Sequence, residues 1–169
     1  EKLMGKEILR PREYRIYKPY GKSDGGASAF QVKITLDSEA GPGKTRLVEM
    51  FWVAVNQIGT NEATGNAAFG WDDSEQCITM KMGLTDIGEL LSLFDGDKEE
   101  INLFHQNKAG NTVAKMKQAQ NKSGTVYYFQ MSSKRGNDLT KVRHNISLSD
   151  AKILRQLLKD YVSLYHDWL

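Results

Sequence analysis

Hydrophobic and polar positions alternate with a period of two along most of this chain and switch to a period of three to four in two places. Phe30-Gln-Val-Lys-Ile-Thr-Leu36 is the cleanest alternation, with Phe30, Val32, Ile34 and Leu36 on one face and Gln31, Lys33 and Thr35 on the other. Around it, Tyr14–Tyr20, Leu47–Ile58 and Trp71–Met82 read as further strands, separated by the Gly-rich turns Gly21–Gly26 and Gly41–Gly43 and by a polar loop, Asn61–Gly70. Thr85–Phe94 changes period, placing Ile87, Leu90, Leu91 and Phe94 on one helical face. The order then repeats. Ile101–His105, Val113–Gln118, Thr125–Ser132 and Leu139–Ile146 read as four strands, and Ser149–Leu169 as a second helix.

The two strand-to-helix junctions are nearly the same text. Leu84-Thr-Asp-Ile87 follows Ile78–Gly83, and Leu148-Ser-Asp-Ala151 follows Val142–Ser147, at an offset of 64 residues. In each, Thr85 or Ser149 and the Asp beside it are expected to cap the first helical turn. The expected fold is therefore α+β: two antiparallel four-stranded sheets, each followed by a helix, ββββα-ββββα. One domain is expected over 1–169, with internal repeats at about 14–95 and 100–169. Along the second helix, Ala151, Leu154, Leu158, Tyr161, Tyr165 and Trp168 form one stripe, and Ile153, Leu157 and Leu164 a second beside it. One stripe can cover a sheet; the other suits a subunit interface. The interface candidates are Ile153, Leu157, Tyr161, Leu164, Tyr165 and Trp168.

Composition narrows the classes. A hydrophobic content of 40% with 26% charged residues is globular. No apolar run approaches the roughly 18–20 residues that span a bilayer, so no membrane association is expected. A lone cysteine, Cys77, makes an internal disulfide impossible. An intracellular site is expected, cytoplasmic in a prokaryote or virus and organellar in a eukaryote. The net charge of +2 conceals a segregation. Residues 37–100 hold four Lys/Arg against thirteen Asp/Glu, whereas residues 101–146 hold eight against Asp138 alone. A basic block of that kind is a candidate footprint for a polyanion.

Catalytic and metal motifs fail on spacing. Gly41-Pro-Gly43-Lys44-Thr45 resembles the end of a phosphate loop, but Ser38 stands where the first Gly is required and a strand follows instead of a helix. Asp95–Glu100 lacks the twelve-residue calcium-loop pattern. His105, His144 and His166 have no ligand-spaced partners, no serine is flanked as a nucleophile elbow, and Asp72 and Asp73 are adjacent, so on a strand they point apart. No enzyme activity, cofactor or metal is expected.

The basic half offers different chemistry. Lys115 and Lys117 share one face of a strand. In the next strand Tyr127 and Phe129 share one face, Tyr128 and Gln130 the other; alternation alone does not say which is buried. Lys134 and Arg135 read as part of the following loop. Cations interleaved with aromatic rings suit single-stranded nucleic acid, where ammoniums neutralise phosphates and rings accept unpaired bases. The first half echoes this with Tyr17, Lys18, Tyr20, Lys22 and Lys33.

These residues resemble the Whirly proteins of plants and, at the level of fold, the kinetoplastid mitochondrial guide-RNA-binding proteins. Tyr14-Arg-Ile-Tyr-Lys18 resembles the Whirly Tyr-Lys-Ile-Tyr-Lys strand, and Leu84-Thr-Asp-Ile-Gly-Glu-Leu-Leu-Ser-Leu93 the family's first helix. Asn102-Leu-Phe-His105 with Val113-Ala-Lys115, and the closing Leu164-Tyr-His-Asp-Trp168, extend the likeness to residues 14–168. The Lys-Gly-Lys-Ala-Ala-Leu motif of the family is broken: Gly25-Gly-Ala-Ser-Ala-Phe30 is the nearest match, with Ala27 where its second Lys would stand. The resemblance implies a homotetramer joined through its helices, with single-stranded DNA running over sheet edges between subunits and little sequence preference. It implies transcription regulation and DNA repair as processes, without the plant-specific roles in defence or organelle genomes. The expected partners are single-stranded nucleic acid, DNA ahead of RNA, and the chain itself. RNA binding or annealing, or a purely structural oligomer, are the alternatives. The phosphate-binding candidates are Lys18, Lys22, Lys33, Lys115, Lys117, Lys134 and Arg135. The stacking candidates are Tyr20, Trp71, Phe104 and Tyr127 or Tyr128.

Overall fold

A computed structural model describes residues 12–18, 27–36 and 48–166. The Gly21–Gly26 turn, the Gly41–Thr45 segment, Tyr20, Lys22 and Trp168 lie outside the described residues. The first sheet contains β1 (Arg12–Lys18), β2 (Ser28–Leu36), β3 (Val48–Thr60), β4 (Ala67–Phe69) and β5 (Cys77–Met82). Helix α1 (Leu84–Phe94) leads into the second sheet, β6 (Glu100–Asn107), β7 (Gly110–Asn121), β8 (Gly124–Arg135) and β9 (Asp138–Ser147), and α2 (Leu148–Tyr165) closes the order. All pairings are antiparallel; β1-β2-β3 and β6-β7-β8-β9 are simple meanders, and β3 carries both β4 and β5. The architecture is the expected α+β one, in a single domain, with nine strands among the described residues against the expected eight.

The extra strand arises where polarity hid it. Thr60-Asn-Glu-Ala-Thr-Gly-Asn66 is a hairpin turn built on the Asn61 side chain, which accepts the N–H groups of Ala63 and Thr64. It returns the chain as β4 beside the tip of β3. The expected fourth strand then starts six residues late: Trp71–Gln76 are turns, because Asp73 accepts the N–H groups of Gln76 and Cys77 on its carbonyl. Gly70 sits where a Cβ would lie 2.7 Å from that of Gln76, so only glycine lets the two segments meet.

Inward-facing residues follow the register. Val32, Trp52 and Met80 form one cross-strand row of the first sheet; Ile101, Met116, Phe129 and His144 form one row of the second. The inner faces meet where Phe129 packs edge-on to Phe30 (5.2 Å between centroids) and to Trp52 (5.8 Å). Ile87, Leu90 and Leu93 of α1, with Ala151, Leu154, Leu158 and Tyr161 of α2, complete the same core. Each large side chain buried in this way contributes about 1.5–3 kcal/mol.

The repeated junctions are capped two residues before the expected Thr85 and Ser149. The N-caps are Gly83 and Ser147, and Thr85 and Ser149 lie exposed in the first turns. Asp86 accepts the Gly83 N–H at 2.8 Å, and Ser147 Oγ accepts the Asp150 N–H at 3.1 Å. Each aspartate also latches its helix to the other half of the chain. His105 of β6 donates from Nε2 to Asp86, and Tyr14 of β1 donates to Asp150, at 2.8 and 2.9 Å. Burial and then the Asp150 carboxylate push the Tyr14 phenol up to about 12.

Candidate nucleic-acid interface

The second sheet buries one face, so its opposite face is fixed by parity. Glu100, Lys117, Tyr128 and Asn145 form one cross-strand row of that outer face. Asn102, Lys115, Gln130 and Arg143 form the next, and Phe104, Val113, Ser132 and Lys141 a third. The first two rows line a hollow of about 830 Å³. Lys115, Lys117 and Arg143 are exposed in it, and Lys141 is exposed on the third row beside it. Among the described residues no carboxylate pairs with any of them, not even Glu100 opposite Lys117. Tyr128 and Phe104 stand among these cations, 46% and 57% exposed.

This face brings together Phe104, Lys115, Lys117 and Tyr128 of the sequence-derived set. Lys134 follows on the same parity, and Lys134 and Arg135 are not in a loop: they end β8, paired with Leu139 and Asp138. The hairpin partner Gly110 makes this ending possible, since a Cβ there would sit 2.0 Å from the Lys134 carbonyl oxygen. Lys18 joins from the first sheet. Ser28 Oγ donates to the Arg143 carbonyl (2.7 Å) and Asn56 Nδ2 to the Lys141 carbonyl (3.0 Å), tying the end of the first sheet to the β9 edge. Lys18, opposite Ser28 in the register, thereby stands beside β9.

Tyr127 requires correction. It is 4% exposed, packs edge-on to Phe94 (5.2 Å), and burial raises its phenol; it belongs to the core and offers no stacking surface. Trp71 and Lys33 lie on the outer side of the first sheet, away from this group. The Arg15 guanidinium covers the Trp71 ring at 5.2 Å, and Lys33 lies between Glu13 and Phe51 in the register. Contributors that went unselected in the sequence are Lys141, Arg143 and the amides of Asn102, Gln130 and Asn145 around them. The signal was present, since Lys141, Arg143 and Asn145 alternate with Val142, His144 and Ile146.

On α2 the interface candidates divide. Tyr161 is corrected to a core residue, 3% exposed, with its hydroxyl donated to the Val48 carbonyl at 3.0 Å and its phenol raised chiefly by burial. Leu164 is half-buried against the same core. Ile153 and Tyr165 are exposed and Leu157 half-buried.

Beneath the cationic face lies His144, fully buried. Ser28 gives its hydroxyl proton to the Arg143 carbonyl, so His144 Nδ1–H donates to Ser28 Oγ at 2.8 Å. Among the described residues Nε2 has no partner. Burial, reinforced by the Lys18 charge, holds the imidazole down at about 4, so it is neutral at pH 7.

A pair of antiparallel sheets, each followed by a helix, is a fold this chain shares with solved structures of Whirly proteins and of kinetoplastid guide-RNA-binding proteins. WHY1 from Arabidopsis thaliana superposes with a TM-score of 0.70 at 16% identity, covering 94% of this chain and 87% of its own. The plant transcriptional regulator PBF-2 gives 0.67 at 16% identity, covering 94% and 84%. A guide-RNA-binding protein complex bound to a guide RNA gives 0.61 at 10% identity, covering 96% and 95%. No family model and no curated protein matches the chain.

Proposed function

We propose that this protein is a non-enzymatic binder of single-stranded nucleic acid, DNA in the first place, with little overall sequence preference. The observation that carries the proposal is the outer face of the second sheet. Among the described residues, Lys115, Lys117 and Arg143 line a hollow with Tyr128, and Lys141 and Phe104 lie on the next row of the same face, with no carboxylate paired to any of the four cations. Ammonium and guanidinium groups on alternating rows match a phosphate chain, and Tyr128 and Phe104 supply sequence-tolerant stacking of about 1–3 kcal/mol per base. The resemblance implied a path over sheet edges between subunits; the charge distribution favours a path across the sheet face that leaves over the β9 edge beside Lys18. Four copies of the chain would associate through Ile153, Leu157 and Tyr165 of α2.

The test is an anisotropy titration of labelled oligo-dT. Four phosphate contacts give a salt slope near −3, so affinity should fall roughly 50-fold between 50 and 200 mM salt. Affinity that ignores salt contradicts the proposal. RNA is the second reading, favoured by the guide-RNA-bound complex that shares the fold; an RNA oligomer of matched sequence that binds more tightly than DNA would establish it. Light scattering checks assembly. A four-chain mass should drop when Ile153 and Leu157 are both replaced by Asp.

A further inference from the structure

The outer face carries more than charge. Arg143 Nε donates to Gln130 Oε1 at 3.2 Å, within the row that crosses the middle of the hollow. That bond fixes the plane of the guanidinium and leaves its two terminal nitrogens as a donor-only fork. It also uses the acceptor of Gln130, whose amide nitrogen then adds another donor. Tyr128 lies on the neighbouring row of β8, diagonal to Arg143 and within reach of a long side chain. Among the described residues no other ring or cation covers the Tyr128 ring.

We propose that this hollow reads one base of the bound strand and that the base is guanine, stacked on Tyr128 with its O6 and N7 facing the Arg143 fork. Guanine presents two adjacent acceptors on that edge. Adenine would oppose its amino group to donors that have no acceptor to offer, and thymine presents one acceptor beside a methyl group. The rest of the strand is held through its phosphates, so a single preferred position sits on an otherwise indifferent track. The inference rests on the nucleic-acid-binding function proposed above. Binding without preference would overturn the inference alone.

The experiment compares 12-mer oligo-dT with the same oligomer carrying one central dG, dA, dC or 7-deaza-dG. The dG oligomer should bind about tenfold more tightly than the dA oligomer. The 7-deaza base lacks N7 and should lose most of that gain with no change to the protein. Arg143→Lys keeps the charge but not the fork, and should bring the dG, dA and dC oligomers to within a few-fold of one another, whatever its absolute affinity for oligo-dT. Equal affinity of the unaltered protein for every oligomer overturns the inference, as does a dG preference that survives Arg143→Lys or 7-deaza substitution. Failure to bind any oligomer overturns both the inference and the function on which it rests.

Discussion

The two sheets share an architecture and differ on their outer faces. On the first sheet Arg15 and Lys81 are spent internally. Arg15 pairs with Glu13 (3.2 Å), Lys81 pairs with Glu49, and the Gln31 amide donates to Glu13. The segment through β4 folds back over this side, where Phe69 meets Tyr17 at 5.5 Å and Arg15 covers Trp71. Ala29, Gln31 and Val55 are consequently buried although their parity points outward. On the second sheet no segment among the described residues folds back, and the cations have no carboxylate partners. A duplicated scaffold thus acquires one closed and one open face through a six-residue hairpin loop, Asn61–Asn66, and a few acidic residues. The segregation of charge between residues 37–100 and 101–146 is the sequence trace of that difference.

Adjacent tyrosines give the sharpest break of this comparison. Tyr127→Ala removes a buried ring packed on Phe94 and should cost about 3–5 kcal/mol in urea denaturation. Tyr128→Ala should stay within about 0.5 kcal/mol of the parent in stability yet weaken oligo-dT binding about tenfold. If both variants lose stability equally, the assignment of the open face is wrong.

Next in size is charge. Replacing Lys115 and Lys117 together by Glu should weaken oligo-dT binding about a hundredfold at low salt, near 2.7 kcal/mol. Lys33→Glu on the closed face should change it less than about twofold. A comparable loss from Lys33→Glu would show that the strand crosses the first sheet.

Acid probes the layer beneath the open face. His144 has its folded value lowered to about 4 from an ordinary 6.5, so the unfolded chain binds the extra proton between those values. Its contribution is fully present above about pH 6.5 and is lost as pH falls towards 4. Stability should drop by about 2 kcal/mol between pH 7 and pH 5 from this group. A His144→Gln variant that shows the same drop would assign it to other groups.

The smallest effect concerns the covered ring. Trp71→Ala should leave oligo-dT affinity within about twofold, since Arg15 already occupies its face. A tenfold loss would make the β4 segment part of the binding track.

How much of this the sequence disclosed varies by residue. The two-residue period placed Lys115 and Lys117 together and separated Tyr127 from Tyr128, but left open which of the pair was buried. That choice is made by the second sheet packing on Phe30 and Trp52, a contact between distant segments that no local pattern encodes. Tyr161 illustrates the same limit, because its hydroxyl finds the Val48 carbonyl across the molecule. The β4 hairpin was missed because Asn61–Asn66 is mostly polar and Ala67–Phe69 is too short to show alternation. Arg143 was legible by parity, and its alignment by Gln130 was not, since cross-strand register is set by the turns at Gly124 and Gly136.

The most direct measurement is photocross-linking of an oligonucleotide carrying 5-iododeoxyuridine, followed by peptide mass spectrometry. The open-face account predicts adducts on Tyr128 and Phe104. Adducts on Tyr17, Phe69 or Trp71, with none on Tyr128 or Phe104, would contradict it.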